Sequence, residues 1–328
     1  MSSEARVPPT PPEGARLPHN PWFRLRALWG AGFVLPFVPA LYALALAVFH
    51  GNLRPEHVVV AVVALGLGLY GERSASLYRE LLPIVVTLIG YDCVRYARAL
   101  WVTPERVLSC SFKAAEQTLV PLGGGMTLPE WFMSHHVAAA DLAAAVPYFG
   151  FAYFAVGYAV WLRMRDVRKM RVFAWGFAFA NWISFAVWIL VPVAPPWYVH
   201  AHGCAVSLAD LPSPAGLARV DALLGVPYFA HFYSRAASVF GALPSMHCAY
   251  PMLGLFSAWR DAGKKERALH VAYAAWMAAS AVYLGHHWVI DVMAGWATAF
   301  AGVRLARLLL EPASALAPAV PEARSTVS

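Results

Sequence analysis

Apolar runs and short charged blocks alternate along this chain. Residues 28–49, 58–70, 81–100, 142–162, 172–191, 245–259, 269–284 and 288–309 are predominantly apolar. Several of these runs approach the roughly 20 residues an α-helix needs to cross a bilayer. Polar connectors separate them at 51–56, 72–80, 163–171 and 260–267. Residues 102–140 are mixed, with Gly123, Gly124 and Gly125 amid amphipathic pieces suited to a membrane interface. The fifth run stops at Pro195 and Pro196, and a long extramembrane segment continues to Leu243. The pattern predicts an all-α, polytopic integral membrane helical bundle of about eight transmembrane helices, with short interfacial helices. It places one transmembrane domain at 27–312 between two disordered cytoplasmic tails, 1–26 and 313–328.

Composition agrees with a bilayer as the principal partner. The chain of 328 residues is 60% hydrophobic and only 13% charged, too apolar for an ordinary soluble domain. The net charge of +7 sits in short loops, where it orients a membrane chain instead of marking a nucleic-acid surface. With the N-terminus in the cytoplasm, eight crossings bring the connectors at 72–80, 163–171 and 260–267, and Arg304 and Arg307, to the inner side. The same count brings 91–98, 195–198, His247 and 286–291 together on the opposite face. The polar, Pro-rich N-terminus does not read as a signal peptide. Cys93, Cys110, Cys204 and Cys248 have no CxxC spacing and predict neither a disulfide framework nor a zinc site.

Candidate chemistry concentrates in two of the later runs. Ser245-Met-His247 opens one, with Ser245 placed as a helix N-cap after Pro244. His286-His287-Trp-Val-Ile-Asp291 opens the last. On a helix, His287 and Asp291 share a face, so the carboxylate can hold one ring nitrogen and leave the other free to act. Two histidines and a carboxylate at helix N-termini suit an anionic group, toward which free backbone N–H groups and the helix dipole would point. That combination predicts phosphoryl transfer. A His/His/Asp set can also ligate zinc. Asp92 and Arg95 read first as an internal (i, i+3) ion pair and second as phosphate contacts, and 194–198 reads equally as a Pro-stopped helix end or a substrate lining.

These residues resemble a known family. Ser245-Met-His247 and His287-x-x-x-Asp291-x-x-x-Gly295 look like two signatures of the type 2 phosphatidic acid phosphatase superfamily. Residues 194–198, 213–225, 239–247 and 283–295 resemble its inositol phosphorylceramide synthase branch most closely. The chain lacks the superfamily's usual first signature, a lysine followed seven residues later by Arg-Pro. Arg95, Arg98, Arg219 and Arg235 are its substitutes by predicted side and chemistry. The resemblance implies a catalytic core at about 142–309. It implies displacement at phosphorus through a phosphohistidine on His287, with Asp291 fixing its tautomer and His247 as general acid and then base. Ser245, His286, Asp92, Pro195, Trp197 and Tyr198 join the arginines as substrate-binding candidates. The implied donor resembles phosphatidylinositol and the acceptor ceramide, with no metal or other cofactor. The implied membrane is the inner membrane in a bacterium or a Golgi-type membrane in a eukaryote. A lipid phosphatase using water at the same site is the nearest alternative. A non-catalytic lipid transporter would need an internal repeat that the chain does not display.

Overall fold

A computed structural model describes residues 20–310; most of the first predicted tail and all of the second lie outside the described residues. The helices are α1 (Pro21–Trp29), α2 (Val38–Ala45), α3 (Pro55–Tyr70), α4 (Glu72–Trp101), α5 (Cys110–Leu119), α6 (Leu128–Ser134) and α7 (Ala138–Arg165). They continue with α8 (Val167–Leu190), α9 (Pro196–His202), α10 (Leu217–Leu224), α11 (Tyr228–Tyr233), α12 (Met246–Ala258), α13 (Lys264–Tyr283) and α14 (Val289–Leu310). Among the described residues, β-structure is limited to isolated parallel bridges, Leu108 with Val193 and Val193 with Gly241. The all-helical class holds.

The eight crossings are matched only in part. Among the described residues two helices, α8 and α14, are each long and apolar enough to span a membrane. Two bent pairs pass together: Trp22–Gly32 with Leu35–His50, broken by 95°, and Ala138–Phe151 with Tyr153–Arg165, broken by 48°. The sixth expected span is α12, whose 13 residues reach only about 20 Å at 1.5 Å per residue. The connector at 72–80 is helical, the first turns of the 30-residue α4, so charged residues there interrupt no helix. At the other end of the chain, α1 begins at Pro21 under an Asn20 cap, inside the segment expected as tail.

Two compact units divide between Ile89 and Gly90. In the first, Leu25, Leu28, Trp29, Ala64, Ala75 and Tyr78 form the core, and the Trp29 indole N–H donates to the Gly68 carbonyl at 2.8 Å. In the second, α14 packs against α8 and α12, and α13 against α7 and α12. Small residues permit the closest of these approaches. A Cβ on Gly295 would lie 2.3 Å from the Ser245 carbonyl oxygen, and one on Gly302 would lie 2.6 Å from the Gly176 carbonyl oxygen. The start of α12 and the start of α14 therefore share one backbone contact, and the histidines stand there.

Candidate active site

Ser245 caps α12 as its sequence predicts: its backbone is extended and its hydroxyl accepts the Cys248 N–H at 3.3 Å. His247 follows as the second helical residue. His287 is placed differently from expectation. Gly285 adopts φ +69 after α13, a left-handed conformation natural to glycine at a helix end, and α14 begins only at Val289. His287 thus precedes the helix instead of sharing a face of it with Asp291.

That offset changes what holds the ring. Nδ1 of His287 lies 3.0 Å from the Ala242 carbonyl oxygen and 3.5 Å from the Asp291 carboxylate. The carbonyl, not the carboxylate, is the closer partner. Ala242 is held in turn by backbone hydrogen bonds: Val193 N–H to Phe240 O at 3.0 Å and Ala242 N–H to Val193 O at 3.3 Å. Asp291 accepts the Trp288 N–H at 2.9 Å through its Oδ2, and its backbone carbonyl accepts the Ser245 N–H at 3.0 Å. Its Oδ1 is buried without a hydrogen-bond partner.

The two histidines meet. Nδ1 of His247 lies 3.1 Å from Nε2 of His287, with ring centroids 5.3 Å apart. Proton positions follow from the fixed partner. A carbonyl only accepts, so Nδ1 of His287 carries the proton and its Nε2 the lone pair. Nδ1 of His247 then donates to that lone pair. Nε2 of His247 is left bare and accepts from the Tyr233 hydroxyl, 3.1 Å away. Tyr148 stacks on the His247 ring at 4.5 Å, and Phe151 packs against it at 4.7 Å. The Tyr148 hydroxyl is buried with no partner. His287 is only 5% exposed and His247 half-buried, so the pair is reached past His247.

Free N–H groups at the start of α14 are not what the structure displays. Glu116 of α5, fully buried, accepts from Val289 N–H at 2.8 Å and Ile290 N–H at 3.1 Å. With Asp291 on Trp288, every N–H from 288 to 290 ends on a carboxylate. An anion there meets negative charge, not open donors. Burial, the largest influence on Glu116, pushes its pKa up from the ordinary value.

The remaining candidates separate into groups. His286 donates Nε2–H to the Pro214 carbonyl at 2.9 Å; burial first, then the His287 ring, pulls its pKa down to about 3, so it is neutral. Pro195 caps α9. The Trp197 N–H donates to the Gly285 carbonyl at 3.0 Å, and Ala194 O accepts the Trp288 indole at 2.9 Å. The Tyr198 hydroxyl donates to Asp210. This stretch braces the segment before α14 through its backbone. Arg219 is engaged by Asp141 through three contacts of 2.6–3.1 Å. Arg95 pairs with Asp92 at 3.7 Å and donates to the Arg235 carbonyl at 2.8 Å. The Arg235 side chain is exposed. Among the described residues, no guanidinium hydrogen-bonds to either histidine of the pair.

Cysteine spacing misled in one respect. Cys110 and Cys204 form a disulfide, joining the first residue of α5 to the turn after α9. Their separation of 94 residues is why no local spacing announced it. Glu116 and Tyr233 were also missed. Glu116 lies four residues after Phe112, and both are buried on one face of α5, a pattern that marks an acid drawn inward. Nothing local distinguishes Tyr233 among 14 tyrosines.

Comparison with known proteins places the sequence. The chain is 33% identical over 270 residues to phosphoinositol dihydroceramide synthase of Bacteroides thetaiotaomicron, covering 81% of this chain and 88% of that protein. It is 31% identical over 160 residues to inositol phosphorylceramide synthase of Candida albicans, 47% of this chain but 33% of the fungal one. With the catalytic subunit of inositol phosphorylceramide synthase from Saccharomyces cerevisiae it shares 41% identity over 107 residues, 32% of this chain and 26% of that protein. No solved structure matches significantly. The model of the PAP2 superfamily matches residues 114–305, a stretch that contains Glu116, both histidines of the pair and Asp291, and the chain belongs to that superfamily.

Proposed function

We propose that this protein is a membrane phosphotransferase that moves the phosphoinositol group of a phosphatidylinositol-like lipid onto the hydroxyl of a ceramide-like lipid. The observation that carries the reading is the 3.1 Å approach of His247 Nδ1 to His287 Nε2, with the proton of His287 held on its far nitrogen by the Ala242 carbonyl. Nε2 of His287 attacks phosphorus and the bond to the diacylglycerol oxygen breaks. His247 gives that oxygen its proton. The acceptor hydroxyl then loses its proton to His247, attacks phosphorus and releases the imidazole. Asp291 lies near enough to His287 to balance the positive charge that develops on the ring. Proton transfer of this kind contributes on the order of 10²–10⁴ in rate.

The names of the bacterial and fungal relatives support an inositol phosphate donor and a sphingoid acceptor. A non-cytoplasmic site is supported by the Cys110–Cys204 disulfide, since such bonds persist in oxidising compartments. The test offers purified protein headgroup-labelled phosphatidylinositol with and without ceramide. Labelled phosphosphingolipid that forms only with ceramide is the expected product. Inositol phosphate released at equal rate without ceramide would make the protein a hydrolase. His287→Ala is expected to abolish turnover and His247→Ala to reduce it at least 10²-fold, the low end for a lost acid–base group. A His287→Ala variant with wild-type activity overturns the phosphohistidine.

A further inference from the structure

The geometry points to Tyr233 as the positioning residue that fixes the tautomer of His247, and so keeps the transferable proton on the nitrogen facing the reacting phosphorus. This rests on the phosphotransferase reading. The chain of donors runs one way: Tyr233 O–H to Nε2 of His247 at 3.1 Å, Nδ1–H of His247 to Nε2 of His287 at 3.1 Å, and Nδ1–H of His287 to Ala242 O at 3.0 Å. The far end is a carbonyl, which cannot reverse. The near end is a hydroxyl, which can donate. Both ends therefore favour the same arrangement.

A neutral histidine in water divides its proton between the two nitrogens. Here the wrong tautomer would carry the proton on Nε2, and two lone pairs would oppose each other between the rings, leaving no proton for the departing oxygen. The Tyr233 hydroxyl can donate or accept; as a donor it needs a bare Nε2, the arrangement that the His287 lone pair facing Nδ1 also selects. The residue is suited to hold its place. It is 9% exposed, it ends α11 (Tyr228–Tyr233), and its ring packs at 4.8 Å against His286. His286 is tied to Pro214. Tyr148 and Phe151 fix the plane of the His247 ring, but neither offers it a hydrogen bond. Tyr233 is the partner of Nε2 as His287 is the partner of Nδ1, and the two together decide which nitrogen holds the proton. It touches no reacting atom, so its effect passes through His247.

The experiment compares wild type with Tyr233→Phe, which keeps the ring and removes the hydroxyl. Ring nitrogens are read by NMR of ¹⁵N-histidine-labelled protein in detergent, with His247 assigned by its loss in His247→Gln. Wild type is expected to carry the His247 proton on Nδ1. Tyr233→Phe is expected to populate both tautomers and to lower kcat roughly 10-fold, the ratio that one hydrogen bond of about 1.4 kcal/mol supports, with KM and thermal stability unchanged. A wild-type proton on Nε2 overturns the inference without recourse to any variant. So does a Tyr233→Phe enzyme whose kcat stays within about twofold, or one that loses turnover with its tautomer unaltered. Failure of the underlying reading shows elsewhere: it appears as activity in His287→Ala, which leaves the tautomer measurement standing.

Discussion

His247 and His287 are 40 residues apart and touch through single ring nitrogens at 3.1 Å. The contact depends on two helix starts held in register. Ser245 N–H binds the Asp291 carbonyl, Gly295 lets α14 close on the Ser245 backbone, and Gly285 ends α13 early enough to set His287 ahead of α14. Three expectations follow from how that register is kept.

Glu116 spans 173 residues to hold the first N–H groups of α14. Its pKa is raised by burial from about 4.5. Above that value the unfolded chain binds fewer protons at this group than the folded one, so stability at this site falls as pH rises through the raised folded value. Glu116→Gln has no charge to desolvate but loses one of two N–H contacts. Thermal melting in detergent should place Glu116→Gln below wild type at pH 4. The gap should narrow as pH rises toward 7; a gap independent of pH would contradict the assignment.

Gly295→Ala should be severe. A methyl there meets backbone, not a side chain that can swing away, so α12 and α14 must separate. Overpacking of this sort costs about 1–3 kcal/mol, and loss of the His247–His287 contact should remove turnover beyond what the fall in melting temperature accounts for. Gly157→Ala is the control, since nothing lies within 4 Å of its Cβ position. Paired melts and transfer assays decide it, and a Gly295→Ala enzyme with normal kcat would mean the helices do not approach this closely.

Cys110→Ser, Cys204→Ser or a reductant should each lower stability by about 2–4 kcal/mol, as expected for closing a long loop. The bond joins α5, which carries Glu116, to the turn beyond α9, whose first N–H groups include the one on Gly285. Activity should therefore decline along with the melting temperature. Mass spectrometry under non-reducing conditions checks the bond itself, and two free thiols at these positions would remove it.

Much of the site was legible because its signals are local. Pro-Ser-x-His reads as a capped helix start, and α12 begins there. His287 and Asp291 were rightly brought together, but helical periodicity assigned them a common face although Leu-Gly-His-His contains the glycine that stops α13. What holds the ring, the Ala242 carbonyl, is a backbone atom and has no letter in the sequence. Glu116 and Tyr233 arrive from distant helices, so only the tertiary fold could reveal them. Arginines were assigned by side and charge alone; Arg219 pairs with Asp141 and Arg95 with Asp92. Of the eight expected spans, two helices and two bent pairs among the described residues have the length and apolar character to cross a membrane, because apolar runs count buried helices and lipid-facing ones alike.

A ring nitrogen already bonded to its neighbour is also a ring nitrogen kept out of use. Phosphorus must come within about 3–3.5 Å of the attacking nitrogen, and no such atom fits while the imidazoles stand 3.1 Å apart. A lipid phosphate must wedge the rings open before it can react. The pair therefore rests latched, and the latch acts on the entry of the phosphate, ahead of any choice between a lipid and water as acceptor.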